Sequence, residues 1–286
     1  MVGESAGRAT LFDVRGLRIV YRRPGAKPLE AVKGVDFTLA EGETLGIVGE
    51  SGSGKSTIAK ALTLLLPIAG GEVRFCGQDI TRLDASGRHA YRRDVQMVFQ
   101  DAAGSLNPRM TIRQTLEEVI RLTSSGGVRD RPNPRPLQEQ RPEDLLGIVG
   151  LSEAVLDQYP RELSGGQCQR VSFARALAAG PRVLVADEPV SALDVSVQAR
   201  ILNLLRDLRR NLNLAVILIA HDLAVVRNVC DRVCVMHHGV FEDAGPAEDV
   251  FARPTSDYTR RLLDAVPDVA RALCARRTAN LQEAKQ

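Results

Sequence analysis

The sequence predicts an α/β protein: a parallel sheet, preceded by an antiparallel β piece and interrupted by a helical insertion. Three observations predict it. The runs "RVLVADEP" and "LAVILIAHD" are near-continuously apolar, the composition of strands buried on both faces of a parallel sheet. Each of them leads into a segment of helical pattern, as does the shorter apolar run "TLGIVG", and strands alternating with helices are the grammar of a parallel sheet. Two stretches within the first forty residues instead alternate apolar and polar positions, the period of half-buried strands.

In chain order, "FDVRGLRIVY" puts Leu17, Ile19 and Tyr21 on one face, and "VDFTLA" does the same with Val35, Phe37 and Leu39. The turn-rich "RRPGAKPLE" joins them. "TLGIVG" is a short strand, followed by a glycine loop and then by "KSTIAKALTLLLP", a helix expected to run until Pro67 stops it. "GEVRFCGQDI" and "DVQMVFQ" come next. From about residue 104 to 179 the pattern is helical, broken by "TSSGGVRDRPNPRPLQEQRP", which is too rich in Gly, Pro and charge for a core and is expected to be exposed. Strands then return, "RVCVMHHG" reads as a buried strand ending in a Gly turn, and a tail begins near Phe251. Residues 1–250 are therefore expected to form one domain, with a helical part of about 101–180 inserted, and 251–286 an extension. No whole-unit repeat is present.

With 286 residues, 44% hydrophobic and 26% charged, the chain has ample material for a core. Its net charge of +3 is mild and its basic residues are dispersed, which gives no case for a nucleic-acid partner. No apolar run approaches the roughly 18 residues of a membrane span, and the N-terminus lacks the pattern of a signal peptide, so a cytosolic location is expected. The five cysteines are scattered and odd in number, which fits reduced thiols. Cys230, Cys234, His237 and His238 lie close enough in sequence to suggest a metal cluster. Strand alternation sends neighbouring side chains to opposite faces, so small core cysteines beside a polar strand end are the preferred reading.

The chemistry starts at "GESGSGKST". Gly49, Gly54, Lys55 and Ser56 satisfy G-x-x-x-x-G-K-[ST] between a strand and a helix, the context this phosphate-binding loop needs. Its backbone N–H groups, from Ser51, Gly52, Ser53 and Gly54 through Thr57, can wrap phosphates at a helix N-terminus. Lys55 would reach the β- and γ-phosphates, and Ser56 would ligate Mg²⁺. "VLVADEP" delivers Asp187 and Glu188 to the carboxyl end of a strand, the edge at which α/β sheets bind ligands. There Asp187 can hold Mg²⁺ and Glu188 can polarise the attacking water. His221 ends the strand "AVILIA" and could reach a γ-phosphate, and Gln100 ends "VQMVFQ" as a group able to touch metal or water. A second Ser-Gly-Gly, in "RELSGGQCQR", opens a helix; taken locally it is an N-cap with a Gly turn, itself an anion-friendly arrangement.

Six motifs in this order, "GESGSGKST", the Gln of "VFQD", "LSGGQ", "VLVADEP", "SALD" and the His of "AHD", resemble those of the ATP-binding subunits of ABC transporters, over about residues 11–265. The resemblance implies a P-loop NTPase fold: a RecA-like α/β core, an antiparallel β subdomain and an inserted α-helical subdomain. It implies ATP and Mg²⁺ as ligands, with Ser56, Gln100 and Asp187 around the metal and Glu188, His221 and Gln100 in hydrolysis. Two cassettes close head to tail in this family, so Ser164, Gly165, Gly166 and Gln167 would serve the ATP held by a second cassette. Tyr21 resembles the aromatic that stacks on adenine; a strand tyrosine packing the core is the alternative. Asp194 resembles the residue linking the two sites across the dimer.

Longer strings, "FQDAAGSLNPRMT", "DEPVSALDVSVQARILNLLRDL" and "VFARPTSDYTRRLLDAVP", look like the oligopeptide, dipeptide and nickel import branch, particularly its second ATPase subunit. That resemblance implies two transmembrane permease subunits, an extracytoplasmic solute-binding protein acting indirectly, a heterodimeric or homodimeric cassette pair and a place on the cytoplasmic face of the inner membrane. Ala102 stands where Pro is usual after "FQD", and Ser256 to Thr259 read "SDYT" in place of "HPYT". With only Cys274 after Pro267, no iron–sulfur cluster is expected, and the short tail leans toward nickel or metallophore cargo. The rival classes are a soluble ABC-type ATPase acting on nucleic acid or ribosomes, which usually carries two cassettes or a coiled-coil insertion, and a non-hydrolysing assembly module, against which the intact Asp187, Glu188 and His221 argue.

Overall fold

A computed structural model describes residues 8–22, 24–25, 27–124, 141–191 and 194–265. Most of the expected exposed loop, and Cys274 with the cluster question attached to it, lie outside the described residues. The chain begins with β1 (Thr10–Tyr21), β2 (Leu29–Ala40), β3 (Thr44–Val48), α1 (Lys55–Leu62), β4 (Gly70–Phe75), β5 (Gln78–Asp79), α2 (Ala85–Asp94) and β6 (Val95–Val98). Four helices follow: α3 (Ala102–Ser105), α4 (Ile112–Ser124), α5 (Pro142–Ile148) and α6 (Gly165–Ala178). The chain then returns to the sheet through β7 (Val183–Asp187), α7 (Val195–Leu212), β8 (Ala215–Ala220), α8 (Leu223–Val229), β9 (Arg232–His237) and β10 (Val240–Pro246), and closes with α9 (Ala247–Ala252) and α10 (Asp257–Asp264).

The central sheet has the order β10-β9-β3-β8-β7-β6. Five of its strands pair in parallel, and β10 adds an antiparallel edge. Alternate residues feed two cores. Leu45 and Ile47 of β3, Val183 and Val185 of β7, and Ile217 and Ile219 of β8 pack with α1 and the antiparallel sheet β2-β1-β4-β5. Leu184, Ala186, Val216 and Leu218 face the other way, into the core formed with α6, α7 and α8. Burial on both faces explains why these strands read as unbroken apolar runs. At Gly46 a β-carbon would come within 2.6 Å of Val226 and 3.0 Å of the Cys230 sulfur, so the glycine is what lets α8 lie against β3. A buried ion pair joins the two sheets: Arg232 donates to Glu43 at 3.1 Å and to the Thr38 carbonyl at 3.2 Å, and Glu43 also accepts the Ala40 N–H at 2.7 Å.

One expectation is corrected, and two elements join the expected ones. The first helix ends at Leu62, well before Pro67: Leu64 sits at φ +56°, Thr63 donates to the Ala59 carbonyl at 2.9 Å, and the Tyr91 hydroxyl donates to the Leu62 carbonyl, so the free carbonyls at the helix end are taken up early. Tyr91 comes from α2, a helix the apolar pattern did not reveal because Tyr91 is its one buried side chain. β10, in a stretch for which no strand is expected, pairs with β9 along the sheet edge. The boundary expected at 250/251 falls inside α9, with Phe251 packed against the core and Tyr258 buried within it. Between residues 101 and 180, α6 packs against α3, α4 and α5, pinned by Arg175 donating to the Ser105 carbonyl at 2.6 Å and by an Arg113–Glu143 pair at 2.6 Å.

Candidate active site at the carboxyl edge of the sheet

Four neighbouring strands, β3, β8, β7 and β6, end on the same edge. β3 leads into the glycine loop. Gly49 has φ +150° and Gly54 φ +114°; a β-carbon would lie 2.0 Å from the Met236 carbonyl oxygen at Gly49 and 2.5 Å from that of Ala31 at Gly54. Only glycine fits either position. Ser51 and Gly52 form the exposed tip of the loop, while Ser53 turns inward and its buried hydroxyl has no hydrogen-bond partner. Gly54 enters α1 without a side-chain cap, which leaves N–H groups of the first turn open to a ligand.

Lys55 is 4% exposed. Its ammonium donates to the carbonyls of Gly49 and Glu50, both at 2.8 Å. Burial pulls its pKa below the ordinary lysine value, opposed by the charges of Glu188, Asp187 and Glu50. A buried cation whose hydrogen bonds go to neutral carbonyls is suited to receive an anion. The Ser56 hydroxyl donates to Asp187 Oδ1 at 2.8 Å. Burial pushes the Asp187 carboxyl up, against the pull of that hydrogen bond. A hydroxyl and a carboxylate in contact beside the loop are hard oxygen donors of the type Mg²⁺ takes, so the residues present fit the ion.

Glu188 follows β7 directly and lies at φ +46°, a left-handed conformation uncommon outside glycine. The turn separates the two acids: Asp187 faces Ser56, and Glu188 faces the ends of β6 and β8. The Gln100 side-chain amide donates to Glu188 Oε2 at 3.0 Å and to the Ser191 hydroxyl at 3.3 Å, and His221 Nδ1 lies 3.4 Å from the same carboxylate oxygen. Gln100, Glu188 and His221, far apart in sequence, thus form one cluster. Ser191 joins the cluster from within "SALD", a motif whose local sequence gives its serine no distinguishing signal. Asp194 of the same motif caps α7; bonds from the Ser196 hydroxyl and the Val197 N–H hold its carboxyl below the usual range.

Tyr21 is half-buried at the end of β1, and its hydroxyl shares a hydrogen bond of 3.1 Å with Thr57, so the aromatic stands beside the loop instead of filling a core. Ser164, Gly165, Gly166 and Gln167 are elsewhere, at the start of α6 in the helical part. The Gln167 N–H donates to the Ser164 hydroxyl at 3.3 Å and the Ser164 N–H to the Gln167 side chain at 2.9 Å, a reciprocal cap. Ser164 and Gly165 are exposed, and a β-carbon on Gly166 would come within 2.7 Å of Val197. Cys230 and Cys234 are buried, with thiols pushed up by burial, Cys234 to about 12. The histidines of that stretch lie at the end of β9 with ring centroids 4.0 Å apart and planes tilted by 41°.

A glycine loop after β3, a buried lysine and an Asp-Glu pair at the end of β7, one strand beyond β8 on the same edge, define a P-loop ATPase. Comparison with known proteins narrows the class. The profile of the ABC transporter family matches residues 32–191. The oligopeptide transport ATP-binding protein OppF of Lactococcus lactis subsp. lactis is 46% identical over 239 residues, which is 84% of this chain and 73% of that protein. OppF of Salmonella typhimurium is 45% identical over 90% of this chain and 75% of its own length. The dipeptide transport ATP-binding protein DppF of Lactococcus lactis subsp. cremoris is 42% identical over 90% and 81%. Among solved structures, a dimeric post-hydrolysis state of the ATP-binding cassette MJ0796 with ADP and Pi superimposes with a TM-score of 0.70 at 30% identity, covering 83% of this chain and 99% of that one. The chain belongs to the ABC transporter family. No helix among the described residues is long and apolar enough to cross a membrane.

Proposed function

We propose that this chain is the ATP-hydrolysing subunit of a peptide importer, working at the cytoplasmic face of the inner membrane on separate permease subunits. The observation that carries the hydrolytic part is the meeting of Gln100, Glu188 and His221 beside the loop that holds Lys55 and the Ser56–Asp187 pair. In this reading the loop from Gly49 to Thr57 wraps the phosphates, Lys55 turns from its carbonyls toward the β- and γ-oxygens, and Tyr21 meets the adenine. Ser56, Asp187 and Gln100 would hold Mg²⁺, which would neutralise phosphate charge. Glu188 takes the proton of the attacking water, oriented by Gln100 and His221.

The start of α6 is the other half of the design. Ser164, Gly165, Gly166 and Gln167 face the nucleotide of a second cassette, which this chain meets head to tail as a heterodimer or homodimer. Closure on ATP and reopening after hydrolysis are passed to the permeases, which with a solute-binding protein choose the cargo. The names of the relatives favour peptides over nickel.

Glu188→Gln is the test. The variant is expected to bind MgATP as the wild type does and to lose steady-state turnover by about 10²-fold or more. Steady hydrolysis in that variant would remove Glu188 as the base. Trapped with MgATP in membranes, it should copurify with polytopic subunits and a second cassette; ribosomes or soluble partners alone would overturn the import reading.

A further inference from the structure

The nucleotide loop is braced from behind by residues that the site itself does not use. His237 ends β9, His238 and Gly239 make the turn into β10, and the Gly239 N–H donates to the Ser53 carbonyl at 2.9 Å. A second brace comes from the far end of the chain. Tyr258 of α10 is 7% exposed, its ring stacks on His237 with centroids 3.8 Å apart and planes 17° from parallel, and its hydroxyl oxygen accepts the N–H of Glu50 at 3.2 Å. The carbonyl of Glu50 is held too, by Lys55 at 2.8 Å and by the Ser53 N–H at 3.2 Å. One residue of the loop is therefore gripped at both ends, and one grip belongs to the C-terminal segment. That segment is fixed in turn by Asp243 of β10, which accepts the N–H groups of Thr255 at 3.2 Å and Ser256 at 3.0 Å and the Thr255 hydroxyl.

We propose that Tyr258 is a positioning residue for ATP binding, setting the Glu50 peptide so that the loop already has its bound shape when the nucleotide arrives. The idea rests on the nucleotide-loop reading of residues 49–57. As Lys55 turns toward phosphate its hold on the Glu50 carbonyl loosens, whereas the Tyr258 hydroxyl holds the Glu50 N–H, which Lys55 does not touch. Without that acceptor the Glu50 N–H seeks another partner, and part of the binding free energy goes into reordering the loop.

Tyr258→Phe keeps the ring and its stack on His237 and removes only the acceptor. In the full-length chain, titration with MgATP should give a dissociation constant raised about 3- to 10-fold, the size of one net hydrogen bond. In the assembled transporter, KM for ATP should rise by the same factor with kcat held within about two-fold, because Tyr258 does not touch the reacting groups. The melting temperature should stay within about 2 °C of wild type. Wild-type affinity in Tyr258→Phe, with or without a fall in melting temperature, overturns the proposal and leaves a packing role. Lys55→Ala, run beside it, separates the two readings: if that variant loses ATP while Tyr258→Phe keeps it, only the positioning role fails, and if both keep it, the loop is not the nucleotide site and the proposal falls with it.

Discussion

Two helices in this chain begin on a glycine-bearing motif, and they begin in opposite ways. α1 is entered through Gly54 at φ +114° with no side-chain cap, and its first residue is a buried lysine bonded to neutral carbonyls. α6 is entered through Ser164, which exchanges hydrogen bonds with Gln167, and its first residues are exposed. Every helix start carries N–H groups without an intrahelical partner. α6 meets part of that need from its own side chains; α1 leaves it open and surrounds the opening with charge. The first start is walled by a buried cation and left without a side-chain cap, while the second is capped from its own side chains and, in the proposed reading, serves a nucleotide held elsewhere.

Lys55→Ala strikes the contrast hardest. It should abolish high-affinity nucleotide binding by the full chain, read by calorimetric titration, and unchanged binding would mean that the open start is not a nucleotide site. Ser164→Ala should act on stability and on assembly separately from binding: loss of the cap removes about 1 kcal/mol, a fall of about 2–4 °C in melting temperature at this chain length, while the dissociation constant of this chain for MgATP stays as it was. If ATP affinity of the lone chain falls with Ser164→Ala, the two starts are not separate. The smallest effect concerns Asp187. Its carboxyl is raised by burial, so the folded state favours the protonated form, and the ionised form weakens the fold increasingly as pH rises through the folded pKa. Asp187→Asn should therefore melt about 1–3 °C higher than wild type at pH 7 without nucleotide, with the gap closing as pH falls toward the ordinary carboxylate value. A gap that is constant with pH would remove the charge as its cause.

What the sequence revealed follows from how local each signal is. The buried parallel strands and the glycine loop are written in consecutive residues, and "RVLVADEP" could be placed as a strand with its acids at the correct end. The cluster of Gln100, Glu188 and His221 needed more: its members come from three strands adjacent in the sheet yet separated by long stretches of chain, so position could be read and contact could not. β10 escaped because "VFEDAGP" is polar, ends in Gly-Pro and pairs on only one side, where such residues are tolerated. α1 looked longer than it is because the signal that stops it, the Tyr91 hydroxyl on the Leu62 carbonyl, arrives from a helix whose own apolar pattern is one residue deep. The histidine pair drew attention as a metal candidate, and its position behind the loop depends on a turn and a tail that spacing does not encode.

The left-handed backbone at Glu188 also bears on how such a protein can change over generations. A position at φ +46° accepts Gly or Asn with little strain and resists Val, Ile and Thr, whose branched side chains crowd that region. A lineage released from the need to hydrolyse ATP could drift at residue 188 toward small or amide side chains and still fold, whereas drift toward branched ones would damage the cassette itself. Loss of catalysis and loss of the fold are therefore different mutational neighbourhoods at this one residue, which makes an inactive but assembled subunit an accessible outcome.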